Sequence, residues 1–123
     1  MKWDEQVGSL NMGRSKASSC FLGGNIYVFG GHGQQEKYLS SVEQLRVTAV
    51  ASQQADVQWR LIKQPPIFPT RYYCLVAPIT DTQIVIMGGY NSTDGQMNDV
   101  WLFDIRNETT KKTAEGGPFT FDL

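Results

Sequence analysis

The residues able to do covalent or metal chemistry are few and scattered. His32 is the single histidine of this 123-residue chain, so within one chain neither a cluster of His ligands nor more than one Ser-His-Asp relay can form. Gly31 and Gly33 begin a G-x-G pattern, but the third glycine and the following helix of a dinucleotide site are missing, and no Gly-Lys-Ser/Thr phosphate loop occurs. The carboxylates Glu43, Asp99 and Asp104 fall in or beside strands with no evident partner, and read as solvated or turn-capping groups. Cys20 and Cys74 are too few for a disulfide framework; both read as small buried apolar residues on opposite sheet faces. The expectation is no catalytic residue, no metal and no cofactor.

What remains is the chemistry of recognition. Arginine with aromatic company is the usual composition of a binding hot spot, and Arg14, His32, Gln35, Tyr38, Phe68, Arg71, Tyr90 and Asn91 supply it. Eleven basic residues against twelve acidic ones give a formal charge of −1, too small a field to hold a phosphate backbone or an anionic membrane. The opening MKWDEQVGSL lacks the apolar stretch of a secretory signal, and no run reaches the roughly 18 apolar residues of a membrane helix. A cytoplasmic protein with protein or peptide partners is expected, with no nucleic acid and no membrane.

The elements that must position these residues recur at a fixed period. Arg14 returns as Arg71, Gly30-Gly31 as Gly88-Gly89, Val42 as Val100 and Leu45 as Phe103, at offsets of 57 or 58 residues. Self-similarity of this kind marks a repeat architecture. Each unit reads as four short strands, near 17–22, 26–29, 41–47 and 57–62 in the first and near 72–77, 83–87 and 98–104 in the second, and nothing shows a long helical period. The second strands, IYVF and IVIM, are apolar throughout, as in a sheet covered on both faces. Four-stranded antiparallel units packed face to face describe the blades of a β-propeller.

These motifs resemble the kelch repeat: an Arg opening the first strand, a Gly-Gly doublet closing the second, a Trp in the fourth. The first unit carries Arg14, NIYVFGG at 25–31, SVEQL at 41–45 and Trp59; the second carries Arg71, QIVIMGG at 83–89 and NDVWLFD at 98–104 with Trp101. The resemblance implies an all-β, kelch-type, incomplete propeller. Residues 1–13 are the last strand of a preceding blade, with Trp3, and a connecting loop; 14–62 are the first blade, 63–70 a Pro-rich inter-blade loop, and 71–123 a second blade. Gly117, not Trp, stands 58 residues beyond Trp59. The fourth strand of the second unit is therefore degenerate, formed around Phe119 or Phe121, or else cut away. Trp59 is expected to fill the wedge between blades.

The resemblance further implies a protein-binding scaffold or adaptor that uses the loops of one propeller face. On that face stand residues 32–38 and 90–97 and the triple-proline loop with Ile67 and Phe68. Adaptor-type kelch propellers grip peptides with arginines at the positions of Arg14 and Arg71; alternatively each arginine only hydrogen-bonds loop carbonyls, and Tyr38 and Tyr90 are loop anchors or contacts. Two other functions stay open, a non-autonomous piece of a longer kelch protein and a sugar-handling enzyme, the latter opposed by the lone histidine. Two blades leave exposed edges, and copies of the chain could self-assemble to close the propeller.

Overall fold

The computed structural model describes residues 9–34, 37–47 and 58–113. Its named elements are all strands. The first sheet runs in the order β1 (Ser18–Leu22), β2 (Asn25–Phe29), β3 (Val42–Arg46) and β4 (Arg60–Ile62), each antiparallel to its neighbour. The second sheet comprises β5 (Leu75–Pro78), β6 (Gln83–Met87), β9 (Val100–Asp104) and β10 (Thr109–Lys112), with a small hairpin of β7 (Tyr90–Asn91) and β8 (Gly95–Gln96) beside it. These are two propeller blades, and the ring they belong to is not closed by them.

The pleat decides which side chains meet between the sheets. Side chains alternate across a strand, so Cys20, Tyr27, Phe29, Val42 and Ile62 line one face of the first sheet and Ile84, Ile86, Trp101 and Phe103 one face of the second. All nine belong to one buried cluster. Phe103 stands at its centre, its ring 5.6 Å from Tyr27 and 5.7 Å from Phe29, both edge to face, a geometry that aromatic quadrupoles favour. Cys74 of the second blade joins Cys20 in it, and burial pushes both thiols up in pKa. The two faces that meet are not copies of one another: in the repeat register Ile84 and Ile86 correspond to Ile26 and Val28, which point away from the second sheet.

The doublets that punctuate the repeat are needed where the blades join. Gly30 and Gly31 have φ of +60° and +106°, and a Cβ on them would lie 2.5 Å from the Arg71 carbonyl oxygen and 2.7 Å from that of Ser15. Only glycine allows this approach; Gly88 and Gly89 repeat the conformation.

Three elements differ from the sequence reading. The fourth strand of the second blade is β10, reached through a four-residue turn, while 119 and 121 lie outside the described residues. Asp104 shapes this turn, accepting at Oδ1 from the Arg106 amide at 2.9 Å and at its carbonyl oxygen from the Glu108 amide at 2.8 Å. Trp59 stands one residue before β4 and outside the core cluster, in which Trp101 packs instead. The strand expected over 72–77 begins only at Leu75, because Tyr73 takes a φ of +56°, as does Lys16 at the matching place in the first blade.

Candidate functional site

The loops joining β2 to β3, β4 to β5, and β6 to β9 come together at one end of the two blades, and two buried arginines fix them. Arg14 donates from Nη1 to the carbonyl oxygens of Gly30 at 2.9 Å and Ser41 at 3.1 Å, and from Nη2 to Ser41 Oγ at 2.9 Å and Glu43 Oε2 at 2.8 Å. The Glu43 carboxylate also accepts from the amides of Asn11 at 2.6 Å and Met12 at 3.1 Å. Arg71 repeats the lock in the second blade, donating to the Gly88 carbonyl at 3.0 Å and in a two-pronged grip to Asp99 at 2.9 and 2.7 Å. The Trp101 indole donates to the same carboxylate at 2.7 Å, and the guanidinium lies 4.7 Å from the Phe68 ring centre.

The carboxylates are thus paired with arginines rather than solvated, Glu43 fully buried and Asp99 partly so, which corrects the expectation for both; Asp104 caps a turn as expected. Desolvation raises the Asp99 pKa, but the hydrogen bonds from Arg71 and Trp101 outweigh it and hold the carboxyl below its ordinary value. For Arg14, burial lowers the pKa against the opposing pull of Glu43. Both arginine side chains are 1% exposed.

Above these locks lies a cluster of rings. Tyr38 stacks on Tyr72 with centroids 5.4 Å apart and planes 13° from parallel. His32 meets Tyr38 edge-on at 5.4 Å, and Tyr90 meets Tyr72 edge-on at 5.3 Å. Lys16 Nζ sits 5.0 Å from the centre of Tyr72 and 5.8 Å from that of Tyr73, within cation–π range. Backbone bridges from His32 to Ser15 and Tyr38 and from Tyr72 to Tyr90 hold the rings in place. His32, Tyr38, Tyr72 and Tyr90 are all half-buried. The array is preorganised and faces outward, and it can offer stacking, edge contacts and hydrogen bonds to a bound chain.

The family model described as the Kelch motif matches residues 13–48 and 71–109. The chain belongs to the kelch-repeat family. It is also similar to the Adagio-like protein 3 of Oryza sativa subsp. japonica, at 25% identity over 113 residues, covering 90% of this chain and 17% of that protein. The kelch blades described here therefore span about a sixth of the relative's length.

Of the residues singled out in the sequence, His32, Tyr38 and Tyr90 meet in the ring cluster. Arg14 and Arg71 are not at the surface of it: their guanidiniums turn inward, into the loop-carbonyl role that was the alternative to gripping a peptide. Phe68 is buried against Trp101 at 5.0 Å, and Asn91 is 4% exposed, its amide donating to the Thr70 carbonyl at 2.7 Å. Gln35 lies outside the described residues. Sequence reasoning missed Tyr72, Tyr73 and Lys16, which it assigned to a strand or a connection. A signal was present: Tyr72-Tyr73 follows the repeat's arginine directly, where the first unit has Ser15-Lys16. Among the described residues no group of three His, Cys, Asp or Glu is placed to hold a metal ion, and no helix is long and apolar enough to cross a membrane.

Proposed function

We propose that these kelch blades bind a protein partner, as a peptide or an extended loop, across the ring cluster of His32, Tyr38, Tyr72 and Tyr90, and serve as a scaffold or adaptor rather than an enzyme. The observation that carries the reading is the partly exposed stack of Tyr38 on Tyr72, contributed by two different blades. Rings recruited only for stability would sit in the inter-sheet core with Tyr27 and Phe103. These stand at the loop end, immobilised before any partner arrives, so little ordering entropy is lost on binding. Ile67, 74% exposed on the proline-stiffened loop, adds an apolar contact at the rim. The free cysteines Cys20 and Cys74 suit a reducing compartment such as the cytoplasm.

The test is selection of peptides against the folded chain from a display library, followed by titration of the selected peptides. Binding should fall at least about tenfold, equal to about 1.4 kcal/mol, in Tyr38→Ala and in Tyr90→Ala. It should be unchanged in Asp81→Ala, at the opposite loop end. Sensitivity at Asp81 with none at the tyrosines would overturn the assignment.

A further inference from the structure

Lys16 stands where the two blades meet, and more than its own side chain holds it there. Its backbone has a φ of +56°, as has Tyr73 at the matching place of the second blade. That conformation costs free energy in any residue with a Cβ and persists only where the surroundings impose it. The Lys16 carbonyl accepts from the Tyr73 amide at 2.9 Å, so the two strained residues fasten each other across the junction. The same backbone outlier thus presents an exposed side chain in each blade, an ammonium from the first and a phenol ring, 67% exposed, from the second.

The ammonium meets rings there and no counter-charge. Lys16 Nζ lies 5.0 Å from the centre of Tyr72 and 5.8 Å from that of Tyr73. Among the described residues no carboxylate pairs with it, the ion pairs being those of Arg14, Arg60, Arg71 and Arg106. The carboxylates beneath the ring cluster, Glu43 and Asp99, are committed to Arg14 and Arg71. The hydroxyls of Tyr38, Tyr72, Tyr73 and Tyr90 likewise make no hydrogen bond among the described residues. A ring face attracts a cation but supplies no oxygen, so the donors of the ammonium stay free for one. A ligand cation would compete with Lys16 for the Tyr72 ring and be repelled by its charge. An anion gains both the charge and the donors.

We propose that the ring cluster selects a partner segment carrying an anionic side chain, which Lys16 receives in a charge-assisted hydrogen bond while Tyr72 and Tyr73 hold the ammonium in place. The proposal rests on the ring cluster being the binding surface and adds what that surface selects. Carboxylate and phosphate oxygens share this chemistry. Both walls of the site, Lys16 from one blade and the two tyrosines from the next, belong to the junction described above. The lysine is ordered by its rings and its backbone before a ligand arrives, so little of its rotamer freedom remains to be lost on binding. Arg14 and Arg71, buried and already paired, leave Lys16 to supply the charge.

The experiment selects peptides from a random display library against the folded chain and measures their affinities for the wild type and for variants. The selected sequences are expected to share one Asp or Glu, and replacing it with Asn or Gln should weaken binding to the wild type at least about tenfold. Lys16→Met, which keeps the side chain's length and removes its charge, should weaken the acidic peptides by the same factor. On that variant the amide replacement should make no further difference, the signature of a direct pair. Lys16→Arg should restore most of the affinity, and Lys111→Met, an equal change of net charge on β10, should leave it unchanged. The same peptides with phosphoserine at the acidic position separate the two anions: tighter binding than the carboxylate peptide assigns the site to phosphate, weaker binding to carboxylate. If circular dichroism shows that Lys16→Met does not fold, Lys16→Gln replaces it. Peptides that lose affinity in Tyr38→Ala but not in Lys16→Met, or that do so without a shared acidic residue, overturn the proposal and leave the ring cluster as the binding surface. Peptides indifferent to both variants overturn the two readings together.

Discussion

Arg71 works in two directions. Its main chain bonds to Leu39 and Gly31 of the first blade, while its side chain grips Gly88 and Asp99 of the second. The Asp99 carboxylate gives this grip a pH dependence whose sign is fixed by its lowered pKa. A carboxyl with a folded pKa below its unfolded value contributes its full stabilisation above the unfolded value, and loses it as pH falls through the folded one. Asp99→Asn is therefore expected to destabilise the chain by about 1.5–3 kcal/mol near neutral pH, the range for hydrogen bonds to charged groups. In urea titrations the gap between wild type and variant should stay constant down to about pH 4 and shrink below it. A gap independent of pH down to the acid unfolding of both proteins would show that the charge on Asp99 is not what the lock uses.

This pairing was hidden in the sequence by a swap. In the repeat register Glu43 aligns with Trp101 and Asp99 with Ser41, so neither carboxylate recurs at its own position and neither looks like the partner of a recurring arginine. The two positions lie two residues apart along the strand, on one side of it, and either can reach the guanidinium. The ring cluster was half legible for a different reason. His32, Tyr38 and Tyr90 stand in obvious loops, but Tyr72 reaches them only because its blade docks on the previous one.

At the scale of elements, the repeat period located five of the eight strands of the two sheets closely, since Gly-Gly and the apolar second strands are hard to mistake. It failed at β10 because the two blades close differently: from β3 to β4 the chain covers residues 47–59, and from β9 to β10 only 105–108. Searching for a tryptophan at the repeat distance from Trp59 therefore lands beyond the strand. The β7–β8 hairpin was likewise read as loop, although Gly95, with φ of +71°, and the Asn91 side chain that accepts from the Asp94 amide at 2.6 Å close its turn.

The glycine doublets permit an element-scale test. Gly30 and Gly95 both have positive φ, yet a Cβ on Gly95 meets nothing within 4 Å while one on Gly30 collides with the Arg71 carbonyl. Gly95→Ala should therefore cost only its backbone strain, about 1 kcal/mol, whereas Gly30→Ala pays that strain and also forces the blades apart. Chemical denaturation should find Gly30→Ala less stable than Gly95→Ala by more than about 1 kcal/mol. Equal losses would mean that the close approach at the junction is not maintained in solution.

For the molecule as a whole, the core is held in common. Tyr27 and Phe29 of one sheet and Phe103 of the other form a single buried unit, so neither sheet keeps its apolar face dry without its neighbour. Phe103→Ala is expected to cost about 3–5 kcal/mol and to lower the stability of both blades in one transition, with far-UV circular dichroism and tryptophan fluorescence superimposing. Two separated transitions, with only the second blade affected, would show that the blades fold independently.

The placement of Arg71 also bears on how such a chain can lengthen or shorten over generations. A duplication or deletion that breaks between Arg71 and Asp99 separates a guanidinium from its counter-charge and leaves one of them buried alone. A break just ahead of the arginine moves Arg71, the Gly88-Gly89 doublet and Asp99 as one parcel, together with the backbone groups that fasten it to whatever blade comes before. The increments by which this architecture grows are therefore whole units that begin at the arginine, as the one from Arg14 to Arg71 does, cut in the loop that precedes it.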